Sequence, residues 1–307
     1  MFDSVEHVID AFREHLYIVD RDVATVVYLS VKMQKPILVE GPAGVGKTEL
    51  AKVMAASQKL ELIRLQCYEG LDEAKALYEW EYAKQLLYTQ ILKDKIGEVL
   101  AGSDSLAEAV ECIGTAEDAF FSTKFILPRP LLKSIMSDDP SMLLIDEIDK
   151  SDPEFEAFLL EILSDFQVSI PELGTISASH IPQVVLTSND TRDMSDALKR
   201  RCLHLYMDFP VKEKEEEIIR LKVPGVSDTL ADQVVRTVRA VRELDIKKLP
   251  SISETLDWAK ALILLNVTKL DAETIHNTLN FILKYESDIA AAKKNMKKIL
   301  EAPGILN

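Results

Sequence analysis

Gly41-Pro42-Ala43-Gly44-Val45-Gly46-Lys47-Thr48 follows the apolar run Pro36-Ile37-Leu38-Val39 and precedes Glu49-Leu50-Ala51-Lys52-Val53-Met54-Ala55-Ala56, a stretch of helix formers without a breaker. Every fixed position of the phosphate-loop pattern is filled, in the strand-to-helix setting that the pattern requires. An anionic phosphate chain needs several backbone N–H groups converging on it, and glycine-rich backbone can bend that tightly. The helix start adds its positive end. Lys47 then reaches the β- and γ-phosphates, and the Thr48 hydroxyl suits Mg²⁺. Gly41, Pro42, Ala43, Gly44, Val45, Gly46, Lys47, Thr48 and Glu49 are therefore the expected nucleotide-binding set, with ATP and Mg²⁺ as cofactors.

A second apolar run, Ser141-Met142-Leu143-Leu144-Ile145, ends in Asp146-Glu147. Parallel α/β sheets place ligands at the carboxyl ends of their strands. Asp146 is thus expected to hold the magnesium shell with Thr48, and Glu147 to orient or deprotonate the attacking water. The competing reading is that both acids cap a helix over 148–163. A third run, Gln183-Val184-Val185-Leu186-Thr187, ends in Ser188-Asn189-Asp190, which puts the Asn189 amide beside the γ-phosphate unless Asn189-Asp190 is simply a turn. Asp196-Ala197-Leu198-Lys199-Arg200-Arg201-Cys202 follows, with two arginines at the end of a short helix that runs into strand-like Leu203-His204-Leu205-Tyr206.

Around these runs, Val5 to Val31 shows helical spacing and Leu62-Ile63-Arg64-Leu65 is another strand. The stretches 166–170 and 175–178 flank Pro171-Glu172-Leu173-Gly174, a hairpin signal. Apolar runs alternating with helical stretches imply a parallel sheet covered on both faces by helices. The composition shifts at Asp208-Phe209-Pro210, after which only helices are expected, notably over 228–244 and 253–266. This gives an α/β nucleotide-binding domain over 1–208 and a small helical lid over 209–307.

A net charge of −15 repels phosphate backbones, so nucleic acid is an unexpected partner and protein is the better default. Cys67, Cys112 and Cys202 form no close pair, and His7, His15, His180, His204 and His276 are scattered, as expected for reduced thiols and no shared metal site. Met1 to Asp10 carries acids where a signal peptide needs bases, and no apolar run reaches the ~20 residues of a membrane span, which predicts a cytoplasmic protein. Lys293, Lys294, Lys297 and Lys298 suit the solvated side of a helix. Trp80 and Trp258 fall in helical stretches and are expected to be packing anchors.

The order of these motifs resembles AAA+ ATPases over most of residues 1–208. Asp146-Glu147-Ile148-Asp149-Lys150, the hairpin near Leu173-Gly174, and an extra segment over 122–138 resemble the MoxR group, with its helix-2 insert. Leu65-Gln66-Cys67-Tyr68-Glu69-Gly70-Leu71-Asp72 and Arg200-Arg201-Cys202-Leu203 are similar to the CoxD-like branch, associated with maturation of molybdenum-containing carbon monoxide dehydrogenase. The resemblance implies a homo-hexamer that remodels a protein client, often with a von Willebrand factor A-domain partner. It also implies that Asn189 is a sensor, and that Arg201, with Arg200 as helper or alternate, is a finger acting on the neighbouring subunit. One departure stands out: Ser253 occupies the lid position where related proteins carry a sensor-2 arginine. That departure motivates an alternative, a nucleotide-dependent binding switch with little turnover. A DNA-directed remodeller is a further alternative, against which the acidity weighs.

Overall fold

The computed structural model describes residues 2–88, 90, 123–171 and 173–303. Met1, Cys112, Ser122 and Glu172, used in the reading above, lie outside the described residues. Five strands form the central sheet: β1 (Ile37–Glu40), β2 (Glu61–Gln66), β5 (Ser141–Asp146), β8 (Gln183–Ser188) and β9 (Leu203–Tyr206), in the order β2-β5-β8-β1-β9. All four pairings are parallel, so the expected α/β architecture is the observed one. The register pairs Gln66 with Asp146 and Glu40 with both Ser188 and Tyr206, which brings the carboxyl ends of the strands to one edge.

Side chains alternate between two buried faces. Leu38, Ile63, Leu65, Leu143, Ile145, Val184 and Leu186 join the first core cluster, under α4 (Glu73–Leu77), α5 (Pro130–Ile135) and α6 (Pro153–Asp165). Ile37, Val39, Met142, Leu144 and Val185 join the second, under α1 (Val5–Glu14), α2 (Arg21–Met33) and α3 (Lys47–Gln58). By the same alternation Asp146, two residues past Leu144, faces the layer that α3 occupies. The fold alone therefore aims this carboxylate at Thr48.

Several local expectations need correcting. The stretch 5–31 is two helices, because Leu16 adopts a left-handed φ of 56° and the non-helical 17–20 carry the chain to a new start at Arg21. No α-helix begins at Ile148: a short 3₁₀ helix over Ile148–Lys150 comes first, and α6 starts at Pro153 behind Asp152. Asp146 and Glu147 therefore do not cap α6. The hairpin appears as β6 (Gln167–Ile170) with β7 (Gly174–Ser177). Of the segment 122–138, Leu131, Leu132 and Ile135 are buried in the main core, so this part is body rather than appendage. It is the antiparallel pair β3 (Tyr78–Trp80) and β4 (Ile126–Pro128) that brackets residues 81–125. Trp80 thus lies in a strand, packed edge-on against Tyr78.

Residues after 210 are helical: α7 (Asp196–Arg201) and β9 lead to α8 (Lys212–Lys222), α9 (Asp228–Arg242), α10 (Ile252–Leu264), α11 (Ala272–Ile282), α12 (Glu286–Lys294) and α13 (Met296–Glu301). The four C-terminal lysines are exposed, on α12 and α13 rather than on one helix. A third core cluster forms here around Trp258, whose Nε1–H donates to Thr278 Oγ1 at 2.8 Å. Arg242 and Glu215 make a buried two-point pair at 2.9 and 2.8 Å. Among the described residues, no helix is long and apolar enough to cross a membrane. Replacing the fully buried Trp258 with Ala should cost about 3–5 kcal/mol, read as a lowered urea midpoint by circular dichroism; an unchanged midpoint contradicts its place in the core.

Candidate nucleotide site

The loop between β1 and α3 is shaped by close approach. A Cβ on Gly41, at φ +143°, would lie 1.9 Å from Met207 O, and one on Gly44, at φ +76°, would lie 2.3 Å from Ser251 Cβ. Neither position tolerates a side chain. Gly46 caps α3 in the left-handed region, and Tyr17 Oη donates to its carbonyl at 3.4 Å. Lys47 is 5% exposed, and its Nζ donates to Gly41 O and Pro42 O at 2.7 Å each and to Asn189 Oδ1 at 2.9 Å. Burial pushes its pKa down, opposed by the charges of Asp149, Asp146 and Glu147.

Asp146, 2% exposed, is saturated. Its Oδ1 accepts from Thr48 Oγ1 at 3.0 Å and Thr187 Oγ1 at 2.5 Å, while its Oδ2 accepts from Arg64 Nε at 3.1 Å and Nη2 at 2.6 Å. Glu147 turns away with a left-handed φ of 58°, stabilised by its N–H on Thr187 Oγ1 at 2.9 Å. Its carboxylate accepts from Lys150 Nζ at 2.5 Å, Gln66 Nε2 at 2.8 Å and Asn189 Nδ2 at 3.3 Å. The hydrogen bond to Glu147 holds the Lys150 ammonium above its ordinary pKa. Asn189 therefore bridges Lys47 and Glu147.

The pairing of a threonine hydroxyl with a carboxylate is hard oxygen chemistry that suits Mg²⁺, which keeps waters and phosphates as its other ligands. Among the described residues, no group of three or more His, Cys, Asp or Glu could hold a metal ion alone. A cavity of about 420 Å³ opens beside the loop, between the 17–20 break and the helical C-terminal part, lined by Tyr17, Val19, Gly44, Glu49, Ile218 and Leu256. Its volume is in the range of small-ligand sites.

The remaining expected residues are placed unevenly. Ala43 is exposed, Pro42 half-buried and Val45 buried. Glu49 lines the cavity and pairs with Lys222 of α8 at 3.4 Å and with Lys52 at 3.6 Å. Ser253 lines the same cavity, while Ser251 caps α10 in a reciprocal box with Glu254. Arg200 and Arg201 are exposed, and Arg201 donates to Ser164 Oγ at 2.7 Å and Ala197 O at 3.2 Å. Among the described residues, the hydrogen bonds of Arg201 run to α6 and within α7, away from the 41–48 loop. Cys67 and Cys202 are buried, and burial pushes each thiol up to about 12.

Sequence reasoning missed Arg64, Gln66, Lys150, Thr187 and Tyr17. The signal for Arg64 was a charge inside a parallel-sheet run that is ordinarily buried on both faces. For Thr187 it was a hydroxyl ending an otherwise apolar strand. Gln66, on the same face as Arg64, follows from the two-residue period. Tyr17 needed the break after α1, which the helical spacing hid.

Residues 36–202, more than half of the chain, match the model of the AAA domain, dynein-related subfamily. The chain belongs to this family. It is thus an ATPase domain of the AAA+ type. The AAA chain is 25% identical over 224 residues to the gas vesicle ATPase GvpN1 of Halobacterium salinarum and, equally, to GvpN of Haloferax mediterranei. Each alignment covers 69% of this chain but 58% of the relative, so the chain spans less than two thirds of the length of these relatives. An uncharacterised Staphylococcus haemolyticus protein, SH1500, is 25% identical over 75% of this chain and 76% of its own. Two variants of Thermotoga maritima RuvB align over 98% of the AAA chain and 80% and 79% of theirs, with a TM-score of 0.51 and identities of 16% and 15%. At such identity the likeness is one of fold.

Gly44→Ala adds backbone strain of about 1–3 kcal/mol and collides with Ser251. Affinity for a fluorescent ATP analogue should fall by roughly tenfold or more. Retained affinity would contradict the tight seat of this loop.

Proposed function

We propose that this chain is a MoxR-type ATPase that hydrolyses ATP at sites shared between neighbouring copies in a ring and uses the turnover to remodel a protein client. The observation that carries the reading is one continuous polar chain: Thr48 bonds Asp146, Asp146 bonds Thr187, Thr187 accepts the N–H of Glu147, and the Glu147 carboxylate bonds Asn189, which bonds Lys47. Gly41 to Thr48 cradle the phosphates with backbone N–H groups. Lys47 exchanges its loop carbonyls for phosphate oxygens, and Glu147, freed from Lys150 and Gln66, takes the proton of the attacking water. Asn189 holds that water. Thr48 and Asp146 would hold Mg²⁺, which would neutralise charge on the phosphates. Arg200 and Arg201, exposed at the end of α7, fit a finger that completes the neighbour's site.

The ring is a homo-hexamer in the cytoplasm, and a helical lid over 209–307 closes on the nucleotide domain over 1–208. Similarity to the CoxD-like branch suggests the client: the cofactor site of a metalloenzyme of the molybdenum carbon monoxide dehydrogenase kind, reached with a von Willebrand factor A-domain partner. The two gas vesicle relatives are named as ATPases, which supports the hydrolytic reading.

The alternative is a nucleotide-controlled binding switch, favoured by Ser253 at the cavity wall and by the three donors already on Glu147. Phosphate release measured against protein concentration separates the two. Turnover per chain should rise with assembly, and Glu147→Gln or Arg201→Ala should lower it by about 10³-fold or more. Wild-type turnover no greater than that of either variant, where rings form, defeats the hydrolytic reading.

A further inference from the structure

The loop over 190–195 joins Asn189 to the helix that bears Arg200 and Arg201, and it is fastened along its length. Asp190 sits at φ 60° with its N–H on Ser188 Oγ at 3.0 Å. Thr191 donates its N–H at 3.3 Å, and its hydroxyl, to Asp149 Oδ2. Arg192 donates from Nη1 to Glu156 Oε2 at 3.0 Å and from Nη2 to Ser151 O at 3.2 Å. Ser195 donates its N–H to Glu156 Oε1 at 2.8 Å, and its Oγ accepts from Leu198 N–H at 3.2 Å to cap α7.

Glu156 therefore commits both oxygens to this one loop while only 3% exposed. Burial works against its charge, yet the bonds from Ser195 and Arg192 hold its carboxyl below the ordinary range. A second contact comes from the same helix: Ser164, eight residues on and about 12 Å along α6, accepts from Arg201 Nε at 2.7 Å. Between the two, Leu198 is fully buried. α6 thus grips α7 at both ends. The loop so gripped starts at Asn189, which touches both Lys47 and Glu147, and is tied to Asp149 beside them. The Glu156 carboxylate is the buried member of this ion pair, and it defines the loop's geometry sharply because that charge left without Arg192 is strongly unfavourable.

We propose that Glu156, acting through Arg192 and Ser195, is the positioning residue that aims the Arg201 finger at the adjoining subunit's nucleotide, so that the state of one site sets the finger offered to the next. This rests on the shared-site reading above. Among the described residues Glu156 bonds Arg192 and Ser195 and not the 41–48 loop, so its loss should lower turnover through the finger while sparing nucleotide affinity, which a merely structural residue would not achieve.

The test uses full-length Glu156→Gln and Arg192→Gln, each mixed one to one with Glu147→Gln, and an Arg201→Ala plus Glu147→Gln mixture as reference. Alone, each positioning variant should keep its affinity for a fluorescent ATP analogue within about twofold, yet lose roughly ten- to a hundredfold in turnover, the scale of a misplaced catalytic group. Mixed with Glu147→Gln, whose finger is intact, it should regain turnover several-fold above either component. Recovery in the Arg201 mixture without recovery in the Glu156 and Arg192 mixtures overturns the proposal. If the Arg201 mixture also fails, the shared site itself is wrong and the proposal falls with it. Should Glu156→Gln not fold, Arg192→Gln, at a side chain 30% exposed, carries the same comparison.

Discussion

A carboxylate buried at the end of a central strand has to be neutralised by what surrounds it, and Asp146 is neutralised from three directions. Thr48 reaches it from the start of α3, Thr187 from β8 and Arg64 from the edge strand β2. Each partner is correct only if its element is in register, since a one-residue slip sends a strand side chain to the other face. The pairing of β2 with β5 and of β5 with β8, the entry angle of α3 and the geometry of the glycine loop are thus mutually constrained by one acid. Leaving that acid unpaired costs more than any of the individual bonds contributes.

The adjacent acid lives under the opposite regime. A left-handed residue directly after the strand rotates Glu147 out of the line that holds Asp146, leaving its side chain 31% exposed and bonded only to side chains that can swing. Lys150, Gln66 and Asn189 each belong to a different element, so the carboxylate records the arrangement of all three. Two neighbours in sequence become one fixed and one movable carboxylate because the backbone turns between them.

The parallel sheet and its carboxyl-edge residues were legible because strands buried on both faces appear as uninterrupted apolar runs, and three such runs end in Gly41, Asp146-Glu147 and Ser188-Asn189. The period-two alternation even fixes which core each strand residue joins. Breaks are harder to see. The turn at Leu16 and the 3₁₀ turn before Pro153 depend on tertiary packing that overrides local helical spacing. Charged side chains inside strands were undervalued for a related reason: Arg64 looks like an interruption until the register sets it beside Asp146. Glu156 and Arg192 were invisible, since a contact between residues 36 apart leaves no trace in local pattern. Ser253 was located through family likeness alone, and what meets the loop is its neighbour Ser251.

That meeting has a thermodynamic side. Gly44 has no room for a methyl group because the first residue of the α10 cap already fills the space. Loop and helix start therefore share one contact surface, and whatever shifts the loop must either carry Ser251 with it or part from it. Such a shared surface makes the coupling reciprocal: to the extent that phosphates favour one seat of α10, anything that holds α10 in that seat tightens the phosphates by the same factor. Whatever binds the helical region in that seat would then act as a nucleotide-affinity effector without approaching the loop.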